Sequence, residues 1–208
     1  MAAYVSRWTR ITHRADVLIR NAPLPVRLQN LLSMVVYRNP PMSSVRVVET
    51  LGALEAAGLE AWVMGGWGLD ALAGKQSRAH HDLDLIVDQL DIVSVLSVLR
   101  GLGYEECYRS ESPGPVGDLV LSGDTVVVRD EGMGMVDLHA FAIRDSGQFV
   151  TIGSIGELRV KCLTVEQQLL AQKGYRARIP TERRRQRSNV EMARRLAAQS
   201  RGRGAQLG

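Results

Sequence analysis

The run His80-His81-Asp82-Leu83-Asp84-Leu85-Ile86-Val87 sets two carboxylates one residue apart at the head of an apolar stretch. Side chains of a strand alternate between its two faces, so Asp82 and Asp84 point to the same side. Two carboxylates aimed at one spot repel, and one is driven to protonate unless a cation is shared between them. Magnesium, which prefers oxygen ligands, suits such a pair. An isolated Asp-x-Asp is more often a solvated turn, so the pair needs a third member. Asp137 supplies it, from the strand-like segment Met135 to Phe141, where Val136, Leu138 and Ala140 take the opposite face. Three acids on neighbouring strands can hold two metal ions and stabilise the attacking and leaving oxygens of an in-line displacement at phosphorus. One of them can also take the proton.

Upstream, Gly65-Gly66 precedes a helical segment and offers backbone N–H groups and the positive end of a helix dipole to a phosphate, although Gly-Gly is also a very common turn. Lys173, near the end of a later helix, is placed to reach a β- or γ-phosphate; a last-turn lysine more often just complements the dipole. Asp70 falls in the first turn after the glycines, where a carboxylate can simply favour the helix N-terminus, a structural role that stands beside one in the site. His139 shares a face with Asp137, and His81 precedes Asp82; a histidine that orients a neighbour is the commoner outcome than ligation. A hydrolase-type metal cluster would need further histidines, and the chain has only four. Trp62 and Trp67 flank the glycines as core or pocket wall.

The elements that must position these residues follow from periodicity. Ser43 or Ser44 caps an amphipathic helix with apolar residues at Val45, Val48, Leu51, Leu54 and Ala57, stopping at Gly58. Ala61 to Met64 reads as a strand, Trp67 to Leu72 as a helix closed by Gly74, and Leu83 to Val87 as a second strand. Ile92 to Leu99 marks another helix. Thr125 to Val128 and Met135 to Phe141 form a hairpin around Gly132 and Gly134. Arg159 to Cys162 reads as a brief edge strand. Thr164, with a Thr-x-x-Gln pattern through Gln167, opens a helix ending at Gly174, and Thr181 caps a last helix to about Gln199. A mixed sheet with helices is an α+β architecture.

Composition bounds the rest. With 208 residues and 45% hydrophobic content, the chain can form one domain, or one domain and a small helical lobe. It lacks both an apolar run of membrane-spanning length and a secretory signal, so a cytoplasmic protein without membrane partners is expected. Cys107 and Cys162 lack metal-ligand spacing and read as packing residues. The net charge of +4 is unevenly placed. Residues 1–41 carry Arg7, Arg10, Arg14, Arg20, Arg27 and Arg38 against the single acid Asp16, and read as a basic extension. Arginines from Arg176 to Arg195 dominate the other end. They would attract phosphate, but stacking aromatics are sparse there, which argues against nucleic acid as partner and for a solvated helix face.

Gly65-Gly66-Trp67-Gly68-Leu69-Asp70, then Gly74, Arg78 and His80, then Asp82-Leu83-Asp84, resembles the active-site signature of aminoglycoside and lincosamide nucleotidyltransferases. The similarity continues through Val136-Asp137-Leu138-His139 and Arg159 to Leu163 as far as Gly174-Tyr175; it does not reach residues 1–41 or the arginine-rich end. It implies a polymerase-β-like nucleotidyltransferase fold, with the catalytic core over residues 42–162; the residues themselves read as a C-terminal helical lobe over 163–199 and a disordered tail over 200–208. It also implies magnesium-dependent transfer of a nucleoside monophosphate, AMP from ATP, to the hydroxyl of a small antibiotic, with release of pyrophosphate. By position, Asp82 and Asp84 would be metal ligands, Asp137 the third carboxylate and general base, and Gly65, Gly66, Arg78 and His80 the lining of the triphosphate site. The basic C-terminal half favours a lincosamide or an anionic acceptor, whereas Glu105, Glu106, Glu111 and Asp118 are acids that a polycationic aminoglycoside requires. A protein or RNA hydroxyl is the alternative acceptor, and both a monomer and a homodimer stay open.

Overall fold

The computed structural model describes residues 42–78, 80–110, 115–116, 119–120, 125–130, 134–143, 147–178 and 189–198, with Leu28 and Leu32. The basic extension, the Thr181 cap and the tail expected from the sequence lie outside these residues.

Helix α1, Ser44–Ala56, starts where expected: the Ser43 hydroxyl accepts the Arg46 N–H at 3.2 Å, satisfying one of the donors a helix start leaves over. Past its end Gly58 takes φ 71°, a conformation that costs glycine nothing. Strand β1 (Ala61–Met64) runs directly into α2 (Gly65–Ala73), which Gly74 closes in the left-handed region. Next come β2 (Asp82–Asp88), α3 (Ile92–Gly101), β3 (Glu105–Ser110), β4 (Pro115–Val116), β5 (Leu119–Val120), β6 (Thr125–Asp130) and β7 (Gly134–Phe141). A short 3₁₀ turn, Gly147–Phe149, leads to β8 (Val150–Ile155), β9 (Leu158–Leu163) and α4 (Val165–Arg178). Residues 189–198 form a further helix, α5.

Seven strands make one mixed sheet in the order β3-β6-β7-β2-β1-β9-β8, while β4 and β5 pair separately. The α+β expectation holds, and β6 and β7 form the expected antiparallel hairpin. At the centre β2 runs parallel to β7 and antiparallel to β1. One face carries the main core: Leu83, Leu85 and Val87 of β2 and Val136 and Leu138 of β7 pack with Val47, Leu51 and Leu54 of α1 and Val95 and Leu99 of α3. A smaller cluster of Trp62, Ile86, Phe141, Ile143 and Leu163 covers part of the other face. Because side chains alternate, Asp82, Asp84 and Asp137 emerge on that second face. Among the described residues no helix is long and apolar enough to cross a membrane.

Three expectations are corrected. The segment Arg159 to Cys162 is not an edge strand: β9 sits between β1, parallel with Val63 opposite Cys162, and β8, antiparallel. Its exposed Arg159 and Lys161 suggest an edge, but they occupy the outward positions of an interior strand whose Val160 and Cys162 are buried. The true edge, β8, is hidden in the sequence by Gly153, which reads as a turn. Gly153 serves packing instead, because a Cβ there would meet the Ala71 backbone at 2.7 Å. Gly174 does not end α4, which continues to Arg178; an internal glycine costs a helix only about 1 kcal/mol. Finally, Cys162 is buried as a packing residue but Cys107 is exposed.

A Cβ added to Gly52 of α1 would meet nothing within 4 Å, in contrast to one on Gly153. Gly52→Ala should therefore stabilise the fold by roughly 0.5–1 kcal/mol, and Gly153→Ala should destabilise it by about 1–3 kcal/mol. Urea denaturation of the two variants reads both signs.

Candidate active site

The site is assembled at the junction of β1 with α2 and at the heads of β2 and β7. The parallel register sets Asp82 opposite Met135, Asp84 opposite Asp137 and Ile86 opposite His139. Asp84 and Asp137 are thus cross-strand neighbours on one face, with strand axes about 4.8 Å apart, and Asp82 follows one pleat along. On the other flank Met64 pairs with Asp84, so the chain leaves β1 at the carboxylates. Gly65 then takes φ 64°, and a Cβ on it would overlap the Asp84 carboxylate. Only glycine fits both the backbone angle and the space.

Among the described residues no group of three or more His, Cys, Asp and Glu side chains is placed so that it could hold a metal ion. Asp82, Asp84 and Asp137 offer only oxygen donors, the kind magnesium prefers, and magnesium usually binds through one or two carboxylates with water and substrate phosphate at its other positions. The Asp84 carboxylate fills the space that a Gly65 side chain would take.

The glycine pair divides its labour. The Gly65 N–H donates to the buried Gln168 Oε1 of α4 at 3.1 Å, so Gly65 contributes space at the carboxylates and its own N–H is not the phosphate donor expected. Gly66 faces the cationic side: a Cβ there would run into His80 Nδ1 and lie 3.1 Å from Arg78 Nη2. Arg78 also donates to Asn189 Oδ1 of α5 at 3.1 Å. Met64 makes no side-chain cap at the start of α2, leaving that positive helix end directed at the site.

His80 is fixed by a buried polar network. Its Nε2 meets Asp70 Oδ2 at 2.5 Å, and the Ser77 hydroxyl donates to Asp70 Oδ1 at 2.5 Å. Asp70 and His80 are 2% and 1% exposed, so this carboxylate, deep in α2, is structural and does not serve its own helix start. The His80 ring leans on Trp67, centroids 4.9 Å apart. Burial, reinforced by the Arg78 charge, holds the imidazole below its ordinary range against the pull of Asp70. A neutral ring donates from Nε2 to Asp70 and turns the Nδ1 lone pair towards Gly66. Nδ1 is buried without a hydrogen-bond partner. His139, beyond Asp137 on β7, is a half-buried residue; its Nδ1 is buried without a hydrogen-bond partner, and burial pushes the imidazole down to about 4. It reaches neutral pH uncharged.

Asp82, Asp84, Asp137, Gly65, Gly66, Arg78 and His80 are therefore brought to one region. The Lys173 side chain lies outside the described residues, as does most of the arginine-rich end; Arg195 on α5 pairs with Glu191. Sequence reasoning missed Gln168, Ser77 and Asn189. For Gln168 a signal existed: α4 buries Gln167, Gln168 and Gln172 together, an unusual load of amides for the inward face of a helix.

A family model described as aminoglycoside-2''-adenylyltransferase matches residues 46–190. A lincosamide resistance protein from Staphylococcus haemolyticus is 27% identical over 131 residues, covering 55% of this chain and 74% of that protein. Among solved structures, the lincomycin-bound lincosamide antibiotic adenylyltransferase LnuA superposes with a TM-score of 0.58 at 20% identity, over 75% of this chain and 99% of that one. ANT(2'')-Ia in complex with adenylyl-2''-tobramycin gives a TM-score of 0.52 at 21% identity, over 77% and 97% of the two chains. At these identities the superpositions speak to the fold, which is the polymerase-β-like nucleotidyltransferase fold.

Two imidazoles held down by burial make the unfolded chain the better proton binder in mild acid. Native stability is thus full above the ordinary histidine value of 6.5 and is lost as pH falls towards about 4. His139 contributes up to about 3 kcal/mol of that loss. Urea midpoints of the metal-free protein should fall between about pH 7 and pH 4, and His139→Gln should flatten the decline. Equal slopes in the two proteins would exclude His139 as its source.

Proposed function

This chain belongs to the aminoglycoside-2''-adenylyltransferase family, and we propose that it transfers AMP from ATP to a hydroxyl of a small antibiotic, releasing pyrophosphate in a magnesium-dependent reaction. The observation that carries this reading is the pairing of Asp84 with Asp137 beside a Gly65 whose missing side chain makes the place that the Asp84 carboxylate occupies. Such a face suits a charged phosphate centre, and little else in the fold calls for two acids in cross-strand register.

In this reading Gly66, Arg78 and the start of α2 bind the triphosphate, a planar guanidinium being well matched to phosphate oxygens. His80, held by Asp70, supports the same lining. Asp137 accepts the proton of the acceptor hydroxyl as its oxygen bonds to the α-phosphorus, and the bond from that phosphorus to the bridging oxygen of pyrophosphate breaks. Asp82 and Asp84 would hold magnesium, with Asp137 as the third carboxylate; the ion supplies neutralisation of phosphate charge. The acceptor is of lincosamide or aminoglycoside type. The relative from Staphylococcus haemolyticus supports the first and the family description the second.

Pyrophosphate release from magnesium-ATP, followed across lincosamides and aminoglycosides, tests the proposal. One acceptor class should stimulate release, and Asp137→Asn should lower kcat by about 10²–10⁴-fold with the fold intact. Acceptor-stimulated release that survives in the variant would remove Asp137 as base.

A further inference from the structure

We propose that Gln168 is a positioning residue that sets the glycine turn against Asp84, an inference that rests on the nucleotidyltransferase reading. Gln168 is fully buried on α4, 103 residues from the glycine it bonds. Its Oε1 takes the Gly65 N–H at 3.1 Å. The other half of the amide fills the space left by a second glycine, because a Cβ on Gly68 would overlap Gln168 Nε2 and lie 2.9 Å from the Val63 carbonyl oxygen. Gln168 is thus seated between the first and fourth residues of α2.

Its own backbone is anchored: Gln168 N–H donates to the Thr164 carbonyl at 2.9 Å, and Thr164 Oγ1 accepts from Gln167 N–H at 3.4 Å. A rigid helix start immediately after β9 therefore presents the amide at a fixed height over β1. The Nε2 group is buried without a hydrogen-bond partner, a cost that fold stability alone does not explain, since a methionine or leucine would fill the volume without it. What the amide supplies and an apolar side chain does not is an acceptor for Gly65. Without that acceptor the Gly65 peptide is free to rotate, and its bare Cα face, against which Asp84 lies, is no longer held in place.

Gln168→Met removes the acceptor at similar volume, and Gln168→Glu keeps an acceptor oxygen while removing the amide donor. Two readouts are taken on each: hydrogen exchange at the Gly65 amide, and kcat and KM for ATP. In the Met variant Gly65 exchange should accelerate at least about tenfold while Leu85 and Leu138 stay protected, and kcat should fall about 10–100-fold, the scale expected for a slightly misplaced reacting group, with KM for ATP within about threefold. The Glu variant should keep Gly65 protected and retain more of kcat than the Met variant; it carries the test alone should the Met variant fail to fold. A Met variant with Gly65 still protected, or with exchange accelerated but kcat unchanged, would overturn the proposal. Absence of turnover in the wild-type protein with every acceptor would instead overturn the transferase reading, and the exchange data would still decide whether Gln168 holds Gly65.

Discussion

Two carboxylates in register on adjacent parallel strands, Asp84 of β2 and Asp137 of β7, are the constraint that the surrounding structure answers. Like charges so close disfavour one another, and a fold selected only for stability would place apolar or opposite groups there. The positive end of α2 faces the acids, Arg78 stands beside Gly66, and the Gly65 side chain is absent where Asp84 needs clearance. Each of these features is individually ordinary; under the proposed transferase reading they would set an anion site beside an acidic one, the electrostatic pattern a metal-bound phosphate requires.

Rigidity comes from beneath. Asp70 and His80 lie under the glycine turn with almost no solvent exposure, and the exposed Ser77 closes the network from outside. Buried polar groups are tolerable when their partners are satisfied and expensive when they are not. Here the network is satisfied on the Asp70 side and left open at His80 Nδ1, on the side facing the turn.

Much of the site was legible from local pattern. Alternation alone placed Asp82 and Asp84 on one face and Asp137 on the equivalent face of its strand, because period two follows from backbone geometry whatever the fold around it. The glycine pair was visible, but its division of labour was not: that Gly65 gives its N–H to Gln168 depends on a contact across most of the fold, and a glutamine one residue after a capping glutamine reads simply as a helix former. Strand order was likewise hidden. The interior place of β9, next to the edge, arises from parallel pairing with β1, a long-range choice that Arg159 and Lys161 locally argue against, and β8 carries the glycine that its contact with Ala71 demands.

The Met42 backbone bears on how the extension upstream can be handled. Its N–H donates to the His80 carbonyl at 2.8 Å, its side chain is 1% exposed, and Gly134 has no room for a side chain beside it. The chain therefore enters the fold not at a remote surface but through a main-chain bridge to the loop that carries His80. Mechanical load or a partner acting on the segment before Met42 is coupled directly to that loop. A change of the Met42 backbone is accordingly felt at the loop that carries His80, whereas the turn of Gly156 between β8 and β9, with open space around it, is the quieter place to attach a tag.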